Sequence, residues 1–306
     1  MKIIYIGTPE FACPPLIELM ASPDIEIIAV VTAEDKPTGR NQTLTPPPVK
    51  ILALKNNLTV LQPKDQSDRE FLKLITKLKP DFVVVTAYGK ILKKDFLKIP
   101  KYGCINLHAS LLPKYRGASP IEEALLNGDT ETGITFIQMS EKLDAGDILL
   151  LQRIKIEPQD DAPSLRKKLS FLGARLLPFL LRDIRDGLVT PIPQNEKKAS
   201  YCRKIKKSDG LIDPQKMTTE QILNRIRAYK PWPECHIILN DKRLKILEAV
   251  TENKTATLNP GEMRIIDDKL IIGTKNGSIK PLKIQIEGKK PMSIEDFLRG
   301  NSSLFK

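Results

Sequence analysis

MKIIYIGTPEFACPPLIELMASPDIEIIAVVT, residues 1–32, is the stretch on which the fold turns. Residues 2–7 (KIIYIG) are a short apolar run closed by glycine, residues 14–20 are helix-like, and residues 25–32 (IEIIAVVT) return as a second apolar run. Strand, helix and strand in that order are the pattern of a parallel β-α-β unit. Both runs are apolar nearly throughout, so they are expected to be covered on both faces, as in a doubly wound parallel sheet. The turn between them, GTPEFA at 7–12, lacks the G-x-G-x-x-G of a dinucleotide site, so no nicotinamide or flavin cofactor is inferred.

The same alternation continues outward. Strand-like runs are expected at 58–61, 82–86 and 104–107, with a helix over 69–79 between the first two. After the helix-like IEEALLNG, the runs at 133–138 (GITFIQ) and 148–156 alternate more in polarity, which suits a sheet edge. A long amphipathic stretch over 164–186 closes an α/β domain expected to occupy residues 1–187. Residues 188–207 (LVTPIPQNEKKASYCRKIKK) mix prolines with a run of charge, as linkers do. Beyond them come one helical segment at 219–229 and five short strand-like runs at 236–239, 244–250, 262–266, 270–274 and 279–285. That density of short strands predicts a smaller C-terminal OB-like β-barrel domain over 208–306. A small β domain that only packs on its neighbour fits the same pattern.

Composition narrows the class. A chain of 306 residues with 41% hydrophobic and 28% charged residues is neither disordered nor a repeat protein, and its length makes two domains the default. The net charge of +12 divides into +4 over residues 1–200 and +8 over 201–306. A basic excess in one part suits a polyanionic partner for that part, although a solubilising surface would carry it equally well. No apolar run reaches the roughly 18 residues of a membrane span, and the first residues do not read as a secretory signal. Cys13, Cys104, Cys202 and Cys235 are far apart, so reduced thiols and a cytoplasmic location are expected. There is no Walker sequence, no H-E-x-x-H and no spaced Cys/His set, which makes a metal site unexpected.

The chemistry concentrates in residues 104–147, CINLHASLLPKYRGASPIEEALLNGDTETGITFIQMSEKLDAGD. Asn106 and His108 are two apart at the end of a strand, so they share a face. The carboxyl ends of parallel strands border the ligand crevice, and an amide donor beside an imidazole can stabilise an oxyanion and handle a proton. Asp144, in LDAGD, could orient or charge that imidazole. By spacing alone, a satisfied structural histidine and an acidic turn residue account for both positions as well. Ser110, Leu111, Leu112 and Pro113 read either as core or as the wall of a pocket for a flat ring.

With GTPEFA at 7–12, NLHASLLPKYRGASPI at 106–121 and LDAGD at 143–147, the chain resembles the folate-dependent formyltransferases. AEDKPTGRNQTLTPPPVK at 33–50, AYGKIL at 87–92 and IRAYKPWP at 226–233 resemble their tRNA-specific branch, so the likeness spans nearly the whole chain. It implies a translation-initiation enzyme that transfers a formyl group from 10-formyltetrahydrofolate to the α-amino group of methionine on initiator tRNA. It implies that Asn106 donates to the formyl oxygen, that His108 adds a second donor or a positive charge, and that Asp144 holds the histidine and helps move the proton. It further implies that Ser110, Leu111, Leu112, Pro113 and Tyr88 line the folate pocket. Arg40 matches the arginine of a loop that enters the acceptor stem, and the enzyme would act as a monomer without a metal. Family members commonly follow that arginine with glycine and two lysines, whereas here Asn41, Gln42 and Thr43 follow, which shifts binding toward Arg40 and the C-terminal domain. The alternatives are formyl transfer to a nucleotide-linked amino sugar or to glycinamide ribonucleotide, and an RNA-binding protein without catalysis. The basic C-terminal third and PPPVK favour tRNA.

Overall fold

The computed structural model describes residues 1–39, 41–252 and 258–301. Chain contacts divide it into two compact units, one of residues 1–120, 131–155 and 166–202, the other of 121–130, 156–165 and 203–306.

The opening stretch folds as it reads, into β1 (Lys2–Gly7), α1 (Cys13–Met20) and β2 (Glu26–Val31). Pro14 and Pro15 occupy the first turn of α1, where a missing N–H loses no helical bond. The chain continues through β3 (Lys36–Thr38), β4 (Thr43–Thr45), α2 (Pro48–Lys55), β5 (Val60–Leu61), α3 (Arg69–Leu78), β6 (Phe82–Thr86) and α4 (Lys94–Leu97). It then forms β7 (Cys104–His108), β8 (Arg116–Gly117), α5 (Pro120–Leu126), β9 (Glu131–Gln138), β10 (Ile148–Lys155) and α6 (Ala162–Arg185).

Seven of these strands make one sheet in the order β10-β9-β7-β6-β1-β2-β5. Pairing is parallel from β7 to β5, while β9 and β10 run antiparallel at the edge, where their more alternating sequences suit them. Ile3, Ile4, Tyr5 and Ile6 of β1 and all five residues of β6 are buried, as central strands covered on both faces require. Burying one such Val or Ile contributes about 1.5–3 kcal/mol relative to leaving it exposed. β1 marks the point at which the strand order reverses, so ligand crevices are expected beyond the carboxyl ends of β1, β6 and β7.

Two stretches differ from the sequence expectation. The proline-bearing segment after β2 carries an exposed hairpin, β3 paired with β4, followed by α2. Residues 188–202, expected as part of a linker, are hydrogen-bonded into the first unit. Ile148 and Ile192 exchange backbone bonds of 2.8 and 2.9 Å, and β11 (Tyr201–Cys202) pairs in parallel with β8. Proline and charge mark a chain that leaves regular structure, yet they say nothing of which N–H and C=O groups it meets elsewhere.

In the second unit, α7 (Thr219–Ala228) starts from a capping box in which the Thr218 side chain accepts from the Gln221 N–H and Gln221 answers to the Thr218 N–H. Six antiparallel strands follow: β12 (His236–Leu239), β13 (Lys242–Thr251), β14 (Met263–Ile266), β15 (Lys269–Thr274), β16 (Gly277–Ile286) and β17 (Met292–Ser293). Their order is β12-β13-β16-β15-β14, with β17 beside β16. Register shifts on both sides of Glu248 place bulges in the β13–β16 ladder, the device that lets a sheet curl into a half-barrel. A last helix, α8 (Ile294–Asn301), buries Ile294, Phe297 and Leu298, an i, i+3, i+4 spacing that the sequence already contains. Among the described residues no helix is long and apolar enough to cross a membrane. All four cysteines are free, and burial pushes Cys104 and Cys235 up to about 12, so neither is a thiolate at neutral pH.

Candidate active site

β7 ends at His108, and its alternation puts Asn106 and His108 on one face, with Leu107 turned to the other and buried. Asn106 stands between Val85 of β6 and Ile137 of β9 and is partly exposed. Asp144 arrives from the loop joining β9 to β10. Its Oδ1 lies 3.4 Å from the Asn106 Nδ2, and its Oδ2 lies 3.7 Å from the His108 Nδ1. The shortest bond to this carboxylate is from backbone: the Gly117 N–H donates to Oδ2 at 2.8 Å. The three residues singled out from the sequence thus converge, with the His108 and Asp144 side chains only 6% and 12% exposed.

The hydrogen bonds fix the orientation and the tautomer of the imidazole. His108 Nε2 is 3.0 Å from the Tyr115 carbonyl oxygen, which only accepts, so Nε2 carries a hydrogen and donates. Nδ1 is left facing Asp144. At 3.7 Å this is no hydrogen bond, but a proton arriving on Nδ1 would meet a carboxylate at close range. Asn106 has two amide hydrogens and a long bond from one of them to Asp144, so its NH2 can also serve a ligand oxygen.

The turn after β7 is built tightly. Ser110 is fully buried, and its hydroxyl donates to the Lys114 carbonyl at 2.6 Å. Thr135 Oγ1 donates to the Ser110 carbonyl at 2.7 Å and accepts from the Leu112 N–H at 3.1 Å. Leu112 is buried, while Leu111 and Pro113 are partly exposed. Of SLLP, therefore, Leu111 and Pro113 offer surface to a ligand, whereas Ser110 and Leu112 shape the turn from within. Tyr88 lies in the apolar core beside Val83, Val85 and Phe96, and its hydroxyl accepts from the Gln66 Nε2 at 2.9 Å. Burial pushes its pKa up to about 12, so it keeps its proton. Lys90, two residues on, donates to the carbonyls of Pro63 and Lys64 at 3.1 and 3.2 Å, on the rim of a cavity of about 460 Å3 that Leu61, Asp68 and Phe71 also line. Arg40 lies outside the described residues. The ends of its loop are anchored by Lys50, whose Nζ reaches both Asp35 oxygens at 2.8 Å, and by Gln62, whose Nε2 donates to Asp35 Oδ1 at 2.9 Å. Among the described residues no group of three or more His, Cys, Asp or Glu side chains is placed to hold a metal.

Sequence reasoning missed the residues that support this site. Arg116 is 1% exposed, the largest fully buried side chain among the described residues. Its Nε and Nη2 donate to Gln194 Oε1 at 3.1 and 2.8 Å, and its Nη1 and Nη2 donate to the two Glu196 oxygens at 3.0 and 2.8 Å. The bidentate bond to Arg116 holds the Glu196 carboxyl below the ordinary carboxylate range. Gln194 in turn donates to the carbonyls of Asp144 and Gly146 at 2.8 and 2.7 Å. Nothing in local spacing links position 116 to 194; only the two types, an arginine among apolar residues and a glutamine between proline and asparagine, were visible.

Residues 1–181 match the family described as formyl transferase, and residues 204–302 match its C-terminal domain. The methionyl-tRNA formyltransferase of Caldicellulosiruptor saccharolyticus is 47% identical over 98% of this chain and 97% of its own, and that of Geobacter metallireducens is 44% identical over 98% and 96%. Among solved structures, an N-formyltransferase from Helicobacter canadensis, in complex with folinic acid and dTDP-3-aminofucose, shares the fold with a TM-score of 0.69 at 20% identity, over 92% of this chain and 98% of that one. HypX from Aquifex aeolicus in complex with tetrahydrofolic acid does so with a TM-score of 0.64 at 16% identity, this chain spanning 48% of it. With both formyl transferase domains in order and relatives of that identity over its whole length, the chain belongs to the methionyl-tRNA formyltransferase family.

Proposed function

We propose that the chain transfers a formyl group from 10-formyltetrahydrofolate to the α-amino group of methionine on initiator tRNA. The observation that carries this reading is the convergence of Asn106, His108 and Asp144 at the carboxyl end of a parallel strand in a chain of this family. Asn106 donates to the formyl oxygen as it gains charge, the interaction that usually contributes most in acyl transfer. The attacking amine must lose a proton and the departing folate nitrogen must gain one. His108 Nδ1, opposite Asp144, receives and returns that proton, while Nε2 stays bonded to Tyr115 and keeps the ring oriented.

Leu111 and Pro113 form the apolar wall for the folate ring, with Ser110 and Leu112 fixing the turn, and the Tyr88 segment at the end of β6 borders the same pocket. A tetrahydrofolate-bound and a folinic acid-bound protein of the same fold support folate as the donor. Arg40 and the C-terminal domain at 208–306, with the basic stretch that leads into it, bind the tRNA, in keeping with a charge of +8 over residues 201–306. The protein works in the cytoplasm as a monomer. Incubation with 10-formyltetrahydrofolate and charged initiator tRNA yields formyl-methionyl-tRNA; formylation of an amino sugar nucleotide or of glycinamide ribonucleotide in its place would overturn the assignment.

A further inference from the structure

We propose that Gln194 and Arg116 are positioning residues for Asp144, an inference that rests on the catalytic reading above. Four links close a ring. The Gly117 N–H holds the Asp144 carboxylate at 2.8 Å; Arg116, the preceding residue, grips Gln194 Oε1 through two donors; and Gln194 Nε2 holds the Asp144 carbonyl at 2.8 Å. The ring therefore fixes both the backbone and the side chain of one residue. Asp144 has a φ of 48°, in the left-handed region, which aspartate enters more readily than most residues but still at a cost on the order of 1 kcal/mol, and the ring holds it there. The second Gln194 bond, to Gly146 at 2.7 Å, braces the same loop two residues on.

Arg116 and Gln194 are buried, at 1% and 9% exposure, so neither side chain can swing out without leaving polar groups unpaired. Gln194 is suited to its place as few residues are: it accepts from a guanidinium with one end and donates to two carbonyls with the other. The far face of Arg116 is taken by Glu196, which is 67% exposed and touches nothing in the reaction. The segment that reads as a linker thus returns to hold the carboxylate opposite His108.

Gln194→Glu separates the two ends. A carboxylate still accepts from Arg116 but sets oxygen against the Asp144 and Gly146 carbonyls, so the fold is kept and the hold on the loop is lost. Misplacing a catalytic group by a fraction of an ångström to an ångström costs on the order of 10- to 100-fold in rate. The expected result in steady-state formylation of charged initiator tRNA, run well below the variant's melting temperature, is a kcat loss of that size with KM for both substrates little changed; the two carbonyls left without a donor lower the melting temperature as well. Glu196→Gln keeps the ring and is expected to keep kcat near wild type. Should Gln194→Glu fail to fold, Arg116→Lys takes its place, since a lysine cannot fork onto Gln194, and the same kcat loss is expected. Wild-type kcat in the variant that folds, beside an inactive Asp144→Asn, overturns the positioning role and leaves the catalytic reading standing. Wild-type kcat in Asp144→Asn overturns both.

Discussion

Two loops leave the carboxyl ends of parallel strands in the first unit, and they are built in opposite ways. The turn after β7 and Asp144 beside it are held by a polar network through Ser110, Thr135, Gly117, Gln194 and Arg116, while residues 140–143 of the Asp144 loop stay exposed. The segment after β2 is an exposed hairpin with all six strand residues at the surface, anchored at its ends by Asp35, Lys50 and Gln62. On the proposed function, the difference follows from what each would meet. Forming and breaking bonds at one carbon requires atoms placed to a fraction of an ångström, which a buried polar network supplies. A large, charged partner requires reach and surface instead, which an anchored hairpin supplies.

The comparison breaks first at the strand end. Asn106→Ala and His108→Ala are each expected to lower kcat by about 100- to 1000-fold while leaving tRNA affinity nearly unchanged. Full turnover in either variant removes that residue from the chemistry. Backbone tolerance sharpens the contrast next. A Cβ on Gly146 would lie 1.7 Å from the Gln138 carbonyl oxygen, a backbone atom that cannot give way, so Gly146→Ala is expected to cost about 3 kcal/mol or more in denaturant unfolding. Gly39, in the hairpin, has open space around it, and its φ of 70° is the sole penalty, so Gly39→Ala should cost only about 1–2 kcal/mol. Equal costs would mean that the two loops are not built differently.

Salt probes the other side. If the hairpin and the basic last third of the chain bind phosphates, even two or three contacts make a rise from 50 to 200 mM salt weaken tRNA binding by about 10- to 40-fold. An unchanged Kd would reduce the +8 of the last third to a solubilising surface. The smallest effect is expected at the anchor. The bond from Lys50, and after it that from Gln62, holds the Asp35 carboxyl below the ordinary carboxylate range. A depressed folded pKa means that this contribution is present above the unfolded value, about 3.9, and is lost as pH falls through the folded one. Lys50→Ala should therefore weaken tRNA binding by no more than ~5-fold at neutral pH. Its difference from wild type in melting temperature should close as pH falls through the folded Asp35 pKa.

Much of this was open to reading along the chain. Apolar runs at 2–7, 82–86 and 104–107 sit in central strands because a strand covered on both faces has no polar side to show. Asn106 and His108 share a face because strand side chains alternate, and their place at a strand end follows from the run that precedes them. Asp144 was legible only as one acidic residue in a turn. Its approach to His108 depends on β9 pairing with β7 so that the following loop crosses back over the strand end. The segment at 188–202 misled for a related reason. Its prolines and charges describe how the chain moves locally, whereas the bonds of Gln194, Ser200 and Tyr201 to the Asp144 loop, the Tyr115 N–H and the Arg116 side chain are made across about 50 to 85 positions.

The sequence by itself determined the α/β class, the curled antiparallel second sheet, the strand end that bears Asn106 and His108, and the family. Each of these is written in periods of two or four residues, or in short motifs. Only the tertiary structure decided which imidazole nitrogen faces Asp144, which residues of SLLP are partly exposed, and what the buried Arg116 bonds to. These depend on pairings between distant residues, where the requirement that every buried polar group find a partner selects one arrangement, and that requirement has no local spacing to read.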